Sequence, residues 1–429
     1  MGTLGTFIGL IGRAAARGHV AARLGIGRHV PTSWKDPRVS RALSWYIMVA
    51  SGEAPPKFVI ARGLESPEDP RALDEGALWG LHGELSREFP SLWREAREGR
   101  GPPPPAADPA RSYLGVKVEL ARRLASPCRL CERRCGVDRA RRPGVCRQPL
   151  GVAVVHEWFL HPGEEDPLVP SGTIFYGGCN FRCVFCQNYE ISQLFPLSGA
   201  RVGPHGLALI QEDLRRSGAL NVNHVGGEPT PALPTILESM LYLRANVPQL
   251  WNSNFYMSEE SMELLADVID IWLPDFKYGN DECALRLSGA PRYLEVVTRN
   301  LRRAAASGDM IIRHLVLPGH LDCCTKPVLR WIAQNLPKDR VLVNVMDQYR
   351  PEYLVAQFPG RPRWSDISRR PSWEEIREAR EYARELGLIY EPVSRRRLEE
   401  VLRRGMRGTA YPGNVCRMRL MGALGRAPR

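Results

Sequence analysis

No apolar run in this chain is long enough to cross a membrane. The early run at residues 4–11, flanked by Arg13, Arg17, Arg23 and Arg28, is marginal even as the core of a signal peptide and reads better as part of a packed helix. No clear secretory signal and no recognisable RNA-binding module stand anywhere in the sequence. The expectation is a cytoplasmic protein that engages neither membrane nor nucleic acid. Its formal charge of +12, supplied mostly by arginine, is then assigned to an acidic protein partner or to a solvated basic surface. The remaining composition, 44% hydrophobic and 25% charged over 429 residues, suits a soluble globular chain with a sizeable core.

Catalytic constellations are also missing from the first hundred residues, which read as a helical extension (1–100) anchored by Trp45, Trp79 and Trp93. A Pro-rich stretch at 101–111 reads as a stiff linker and a boundary. Beyond it, a short helix at 112–124 leads into a Cys-rich segment (112–170). From 171 to 392, short apolar strands alternate with helical patterns. Strands are expected at 173–176, 221–225, 250–255, 269–273, 311–317 and 341–345. Helices are expected at 207–216, 234–244, 259–266, 292–306, 326–335 and 372–386. This alternation predicts an α/β fold, a partial, open (β/α)6 barrel with functional residues at the C-terminal ends of its strands. The basic, Gly-rich tail, 393–429, packs late or frays.

Seven of the eleven cysteines fall in two tight groups, which in a chain without a secretory signal reads as metal binding and not as a disulfide framework. Cys179, Cys183 and Cys186 follow a β-like run and two glycines in a C-x3-C-x2-C spacing. Three such thiolates can hold three irons of a cubane and leave the fourth iron open to a small molecule. A zinc site would want a fourth ligand, and none stands in the loop. Cys128, Cys131, Cys135 and Cys146, four thiolates within nineteen residues, can enclose one metal completely. Zinc and an auxiliary iron–sulfur cluster both fit, with Arg129, Arg133, Arg134 and Arg139 expected to offset the thiolate charge. Cys283, Cys323, Cys324 and Cys416 show no ligand spacing and read as inert thiols.

The Cys179–Cys186 spacing, with Phe185 before its last cysteine, resembles the signature of the radical S-adenosylmethionine (SAM) superfamily. About forty residues on, Gly226-Gly227-Glu228-Pro229 ends a strand and looks like that superfamily's GGEP motif. The resemblance implies a 4Fe–4S cluster on Cys179, Cys183 and Cys186, with SAM on the open iron and its amine beside Gly226, Gly227 and Glu228. Asn252 or Asn254 would meet the ribose or carboxylate of SAM. Lys277, alternating with Phe276 so that it shares a face with Asp275, would hold the carboxylate, and His314 or His320 would face the nucleoside. The Cys128–Arg139 run, the Asp-Phe-Lys step and the Leu-Pro-Gly turn at 317–319 narrow the likeness to a group similar to pyruvate formate-lyase activating enzymes. An external electron donor such as a flavodoxin or ferredoxin is implied, together with a protein or small-molecule substrate whose hydrogen is abstracted.

Overall fold

The computed structural model describes residues 30–104 and 106–390. The basic tail at 393–429, Cys416 and the apolar run at 4–11 lie outside the described residues. Strands β1 (Ala153–His161), β2 (Ser171–Tyr176), β3 (Ala200–Val202), β4 (Asn221–Gly226), β5 (Gln249–Ser253), β6 (Ile271–Pro274), β7 (Asp309–Leu315), β8 (Val341–Met346) and β9 (Ile389–Tyr390) form one sheet. Its order is β3-β1-β2-β4-β5-β6-β7-β8-β9. From β2 onward every neighbouring pair is parallel, whereas β1 runs antiparallel to both β2 and β3. A parallel step needs a crossover. Helices Pro204–Arg216, Leu233–Tyr242, Glu259–Ala266, Tyr293–Ser307, Lys326–Asn335 and Trp373–Glu385 supply these crossovers. The partial (β/α)6 architecture is therefore as expected. Strands β1, β3 and β9 escaped the reading, as did the five-residue helix Tyr353–Gln357 and the helix Asp281–Ser288. The latter is only two turns long, capped by Asn280 at its start and by left-handed Gly289 at its end.

Residues two apart on a strand share a face, and the interior face can be followed upward in layers. At the bottom lie Leu250, Ile271, Ile311 and Leu342, packed with Val39, Leu43 and Tyr46 from helices Pro37–Ala42 and Ser44–Ser51. The N-terminal helices thus close the lower end of the sheet. Buried carboxylates fasten them there: Asp270 accepts from Trp45 Nε1 at 2.8 Å and from Lys57 N at 3.0 Å, and Asp309 accepts from Tyr46 N at 2.8 Å. The Pro-rich stretch is packed as well, since a Cβ on Gly63 would stand 2.7 Å from the Pro103 ring.

One layer higher the interior turns polar. Arg313 pairs with Glu164 and Glu165 from the loop after β1, at 2.7 Å from Glu165, and its guanidinium also reaches Asn252 Oδ1 at 3.3 Å. Asn344 and Asn223 donate to the same two carboxylates at 2.8 and 3.0 Å. Burial works against ionised Glu165, but Arg313 and Asn344 outweigh it and hold its pKa below the usual range.

Candidate functional site

The three-cysteine loop leaves β2 at its C-terminal end, where the next parallel strand, β4, ends in the Gly-Gly-Glu-Pro turn. Register pairs Tyr176 with Gly226, so the two loops emerge side by side. The glycines allow them to touch. Gly178 has a φ of +74°, and a Cβ there would stand 2.4 Å from the Cys146 carbonyl oxygen. Gly226 has a φ of +125°, and a Cβ on Gly227 would lie 2.0 Å from the Gly178 carbonyl oxygen. The turn, the cluster loop and the Cys-rich segment are therefore in backbone contact.

Each of the three sulfurs has a polar neighbour. Cys179 Sγ accepts from Phe181 N at 3.3 Å and from Asn254 Nδ2 at 3.7 Å. Cys183 Sγ lies 2.9 Å from Ser288 Oγ, and Cys186 Sγ lies 3.4 Å from Ser192 Oγ. Hydrogen bonds of this kind tune the potential of a thiolate-bound cluster. Burial pushes the Cys183 thiol up to about 11, reinforced by Cys186 and opposed by Lys277. Cys179 is raised further, first by burial and then by Glu228. Such thiols favour the protonated form unless a metal takes the proton's place.

Glu228 is buried and spans two strand ends. Its Oε1 accepts from Thr230 N at 3.2 Å, Thr230 Oγ1 at 2.5 Å and Ser253 Oγ at 2.7 Å, and its Oε2 accepts from Asn254 N at 3.0 Å. Burial raises its pKa, with these donors acting against the rise. A carboxylate offers about four acceptor sites, so the unused capacity is on Oε2. Asn254 is committed to protein: its Nδ2 donates to Asn180 Oδ1 at 2.7 Å and its Oδ1 accepts from Tyr256 N at 3.0 Å. Asn252 has the free donor, because its buried Nδ2 has no hydrogen-bond partner. Lys277 and Asp275 share a face and form an ion pair. Burial lowers the Lys277 pKa, but Asp275 first, and the sulfurs of Cys183 and Cys179 when ionised, more than offset it, so the ammonium is held charged beside the cysteine loop.

His314 is placed differently from the reading that turned it to a nucleoside. It is fully buried, with Nδ1 2.8 Å from the Phe276 carbonyl and Nε2 2.9 Å from Thr325 Oγ1, so both ring nitrogens are engaged within the protein. Its neighbour Arg313 takes the interior face, as strand alternation requires. Sequence reasoning missed Arg313 together with Glu164 and Glu165; the signal was there in the period-two pattern of β7, but the carboxylates that neutralise the arginine lie 148 and 149 residues away.

The Cys-rich segment packs on the same loops. Arg133 donates to the Asn180 carbonyl at 2.8 Å, and Arg139 to the Pro231 carbonyl at 2.8 Å. Cys128 and Cys146 are buried, Cys131 and Cys135 half-buried. Burial pushes Cys131 up to about 12. Of the arginines expected to offset thiolate charge, Arg139 does act on Cys128. Arg129 and Arg134 are instead paired with Glu75 and Glu260 at 2.8 and 2.9 Å. Among the described residues, the group whose ligand atoms all lie within 4.8 Å of one another is Cys283, His320, Cys323 and Cys324. The reading of those three cysteines as unconnected inert thiols is corrected by that convergence; neither earlier group is gathered so tightly. A single tetrahedral ion would draw sulfurs to about 3.8 Å apart, and Cys179, Cys183 and Cys186 are not gathered to within 4.8 Å of one another.

Residues 173–332 match the model of the Radical SAM superfamily. The uncharacterized protein MJ0674 of Methanocaldococcus jannaschii is 41% identical over 358 residues, covering 81% of this chain and 99% of that protein. Among solved structures, a radical SAM methyltransferase from Sphaerobacter thermophilus aligns over 70% of this chain and 91% of its own, at 14% identity and a TM-score of 0.39. Streptococcus suis SuiB bound to S-adenosylmethionine aligns over 50% of this chain at 14% identity and a TM-score of 0.36, and this chain spans 48% of it.

Proposed function

The chain belongs to the radical SAM superfamily and shares a family with MJ0674, and from that premise we propose that it cleaves SAM reductively and abstracts hydrogen from a glycine of a partner protein. The observation that carries the reading is the backbone contact between the Cys179–Cys186 loop and the Gly226–Glu228 turn, by which a ligand on a metal held by the loop would lie beside a carboxylate. When bound, the 4Fe–4S cluster and SAM would supply one-electron radical chemistry; the protein positions the reactants and excludes water. Cys179, Cys183 and Cys186 would hold the cluster. Glu228, with acceptor capacity left on Oε2, would take the amine of SAM, and charged Lys277, paired with Asp275, would meet its carboxylate. The unpartnered Nδ2 of Asn252 is the donor left over for the ribose. The basic surface suits an acidic electron donor such as a flavodoxin or ferredoxin. The choice of a protein glycine rests on the likeness of the Cys128–Arg139 run and the Asp-Phe-Lys and Leu-Pro-Gly stretches to a group similar to activating enzymes.

The test is anaerobic incubation with dithionite and SAM. Wild-type protein forms 5′-deoxyadenosine, and Cys183→Ala forms none and holds less iron. A co-purifying partner that acquires a glycyl radical supports the substrate; 5′-deoxyadenosine formed only with an RNA or a small molecule replaces it. Colourless protein that carries zinc and no iron after anaerobic reconstitution would make the chain a partner-binding barrel and overturn the enzymatic reading.

A further inference from the structure

A group of metal-ligating side chains gathers at the start of the helix Asp281–Ser288, whose far end meets the cysteine loop. Cys283 sits in the first turn of that helix, its N–H held by the Asn280 cap at 2.8 Å. The other three residues come from the loop after β7. There the chain winds into a π-type turn, Leu321–Thr325, with Thr325 N donating to the His320 carbonyl at 3.0 Å. Wide turns of this kind recur at functional sites, and this one faces His320, Cys323 and Cys324 the same way. His320 Nδ1 lies 3.3 Å from Cys323 Sγ, 3.6 Å from Cys324 Sγ and 3.7 Å from Cys283 Sγ, and the sulfurs of Cys323 and Cys324 are 3.8 Å apart. All of these thiols are free.

Those separations are four of the six edges of a small tetrahedron, and the other two, from Cys283 Sγ to the sulfurs of Cys323 and Cys324, lie within 4.8 Å. An ion about 2.3 Å from sulfur and 2.0–2.1 Å from nitrogen sets sulfurs about 3.8 Å apart and sulfur about 3.5 Å from nitrogen. The histidine is also prepared for ligation. Its Nε2 bonds Asp366 Oδ2 at 2.9 Å, which places the ring proton there and turns the Nδ1 lone pair to the sulfurs. Asp366 is itself held by Arg286 at 2.5 and 3.0 Å. A carboxylate behind the far ring nitrogen is the usual support of a metal-bound histidine. Cys283, His320 and Cys324 are buried while Cys323 is exposed, which leaves one edge open for the ion to enter.

We propose that Cys283, His320, Cys323 and Cys324 bind one zinc ion in a closed Cys3His site that ties the helix Asp281–Ser288 to the loop after β7. Three thiolates and an imidazole fill the tetrahedron, so the ion is structural and has no open position for a substrate. Its purpose follows from the far end of the helix. Ser288 Oγ meets Cys183 Sγ at 2.9 Å, and the carbonyls of Leu287 and Ser288 accept from Val184 N and Arg182 N, each at 2.9 Å. One short helix therefore runs from the zinc to the wall of the three-cysteine loop, and anchoring it holds that wall in place. The site is independent of which molecule the enzyme acts on.

The experiment is metal analysis and zinc-edge X-ray absorption on full-length protein purified anaerobically, without added metal. The expected shell contains three sulfurs at about 2.3 Å and one nitrogen at about 2.0–2.1 Å. Cys324→Ser lowers the zinc count by one per chain. Asp366→Asn, which keeps all four ligands and is the milder change, weakens zinc against a competing chelator by about 10–100-fold. Cys183→Ala loses iron and keeps this zinc. A shell of four sulfurs alone, which would place the zinc at Cys128–Cys146, or a zinc count and affinity unchanged in both Cys324→Ser and Asp366→Asn, would overturn the proposal.

Discussion

Replacing Gly227 by alanine tests the contact on which the whole site depends. The added Cβ would stand 2.0 Å from the Gly178 carbonyl oxygen, 2.8 Å from its carbon and 3.0 Å from the Ser192 Cβ. Ordinary contact begins near 3.4 Å, so turn and loop would have to part by more than 1 Å. No flexible side chain can absorb this, because the two nearest atoms are backbone atoms of Gly178. Overpacking of a tight site costs about 1–3 kcal/mol, and a backbone-on-backbone collision belongs at the upper end. The displacement falls on Gly178, next to Cys179, so the loss appears in metal binding as well as in stability. Gly80→Ala is the control: nothing lies within 4 Å of its added carbon, and it sits within the helix Glu75–Arg97. That variant gains about 0.5–1 kcal/mol. The assay is thermal unfolding and iron content after anaerobic reconstitution. Gly227→Ala with wild-type iron and a wild-type unfolding midpoint would refute the reasoning.

Arg313→Met leaves Glu165 buried without its cation and is expected to destabilise the protein by about 3–5 kcal/mol, read by denaturant unfolding; a change below about 1 kcal/mol would mean that Glu165 is held by Asn344 alone. Lys277→Ala is expected to weaken SAM binding at least tenfold in equilibrium dialysis while iron content stays at the wild-type level; unchanged affinity would remove Lys277 from the site. For Asp309, burial raises the carboxyl pKa from the usual 3.8 to about 7, against smaller opposing contributions from the Tyr46 N–H, Arg97 and Lys57. The folded chain therefore keeps a proton that the unfolded chain releases, and the Asp309 contribution to stability falls as pH rises through that window and is level above it. Asp309→Asn keeps the acceptor for Tyr46 and is expected to flatten the decline in unfolding midpoint between pH 5 and 7; an unaltered pH profile would assign the titration elsewhere.

What could be read along the chain was whatever is written within a few residues. Strand and helix periods announced the six-unit α/β architecture, because burial of one face leaves its spacing in the sequence. The C-x3-C-x2-C run and the Gly-Gly-Glu-Pro turn could be paired because each follows a strand in a parallel sheet, whose C-terminal ends share one rim. The short helix Asp281–Ser288 and the strands β1, β3 and β9 carried too little period to stand out.

Three matters belonged to the tertiary structure alone. The partners of Arg313 come from elsewhere in the chain: the glutamates that make its interior position tolerable lie in a loop before β2. The N-terminal helices form the floor of the sheet through buried aspartates that no local pattern connects to them. Cys283 stands 37 residues before His320, a distance at which ligand spacing says nothing; only the packing of a two-turn helix against a π-type turn brings their ligand atoms together. Local sequence determines periodicity and backbone shape because both depend on neighbours in the chain. Convergence of polar groups from distant segments depends on which elements pack, and that is settled only when the sheet has closed around its core.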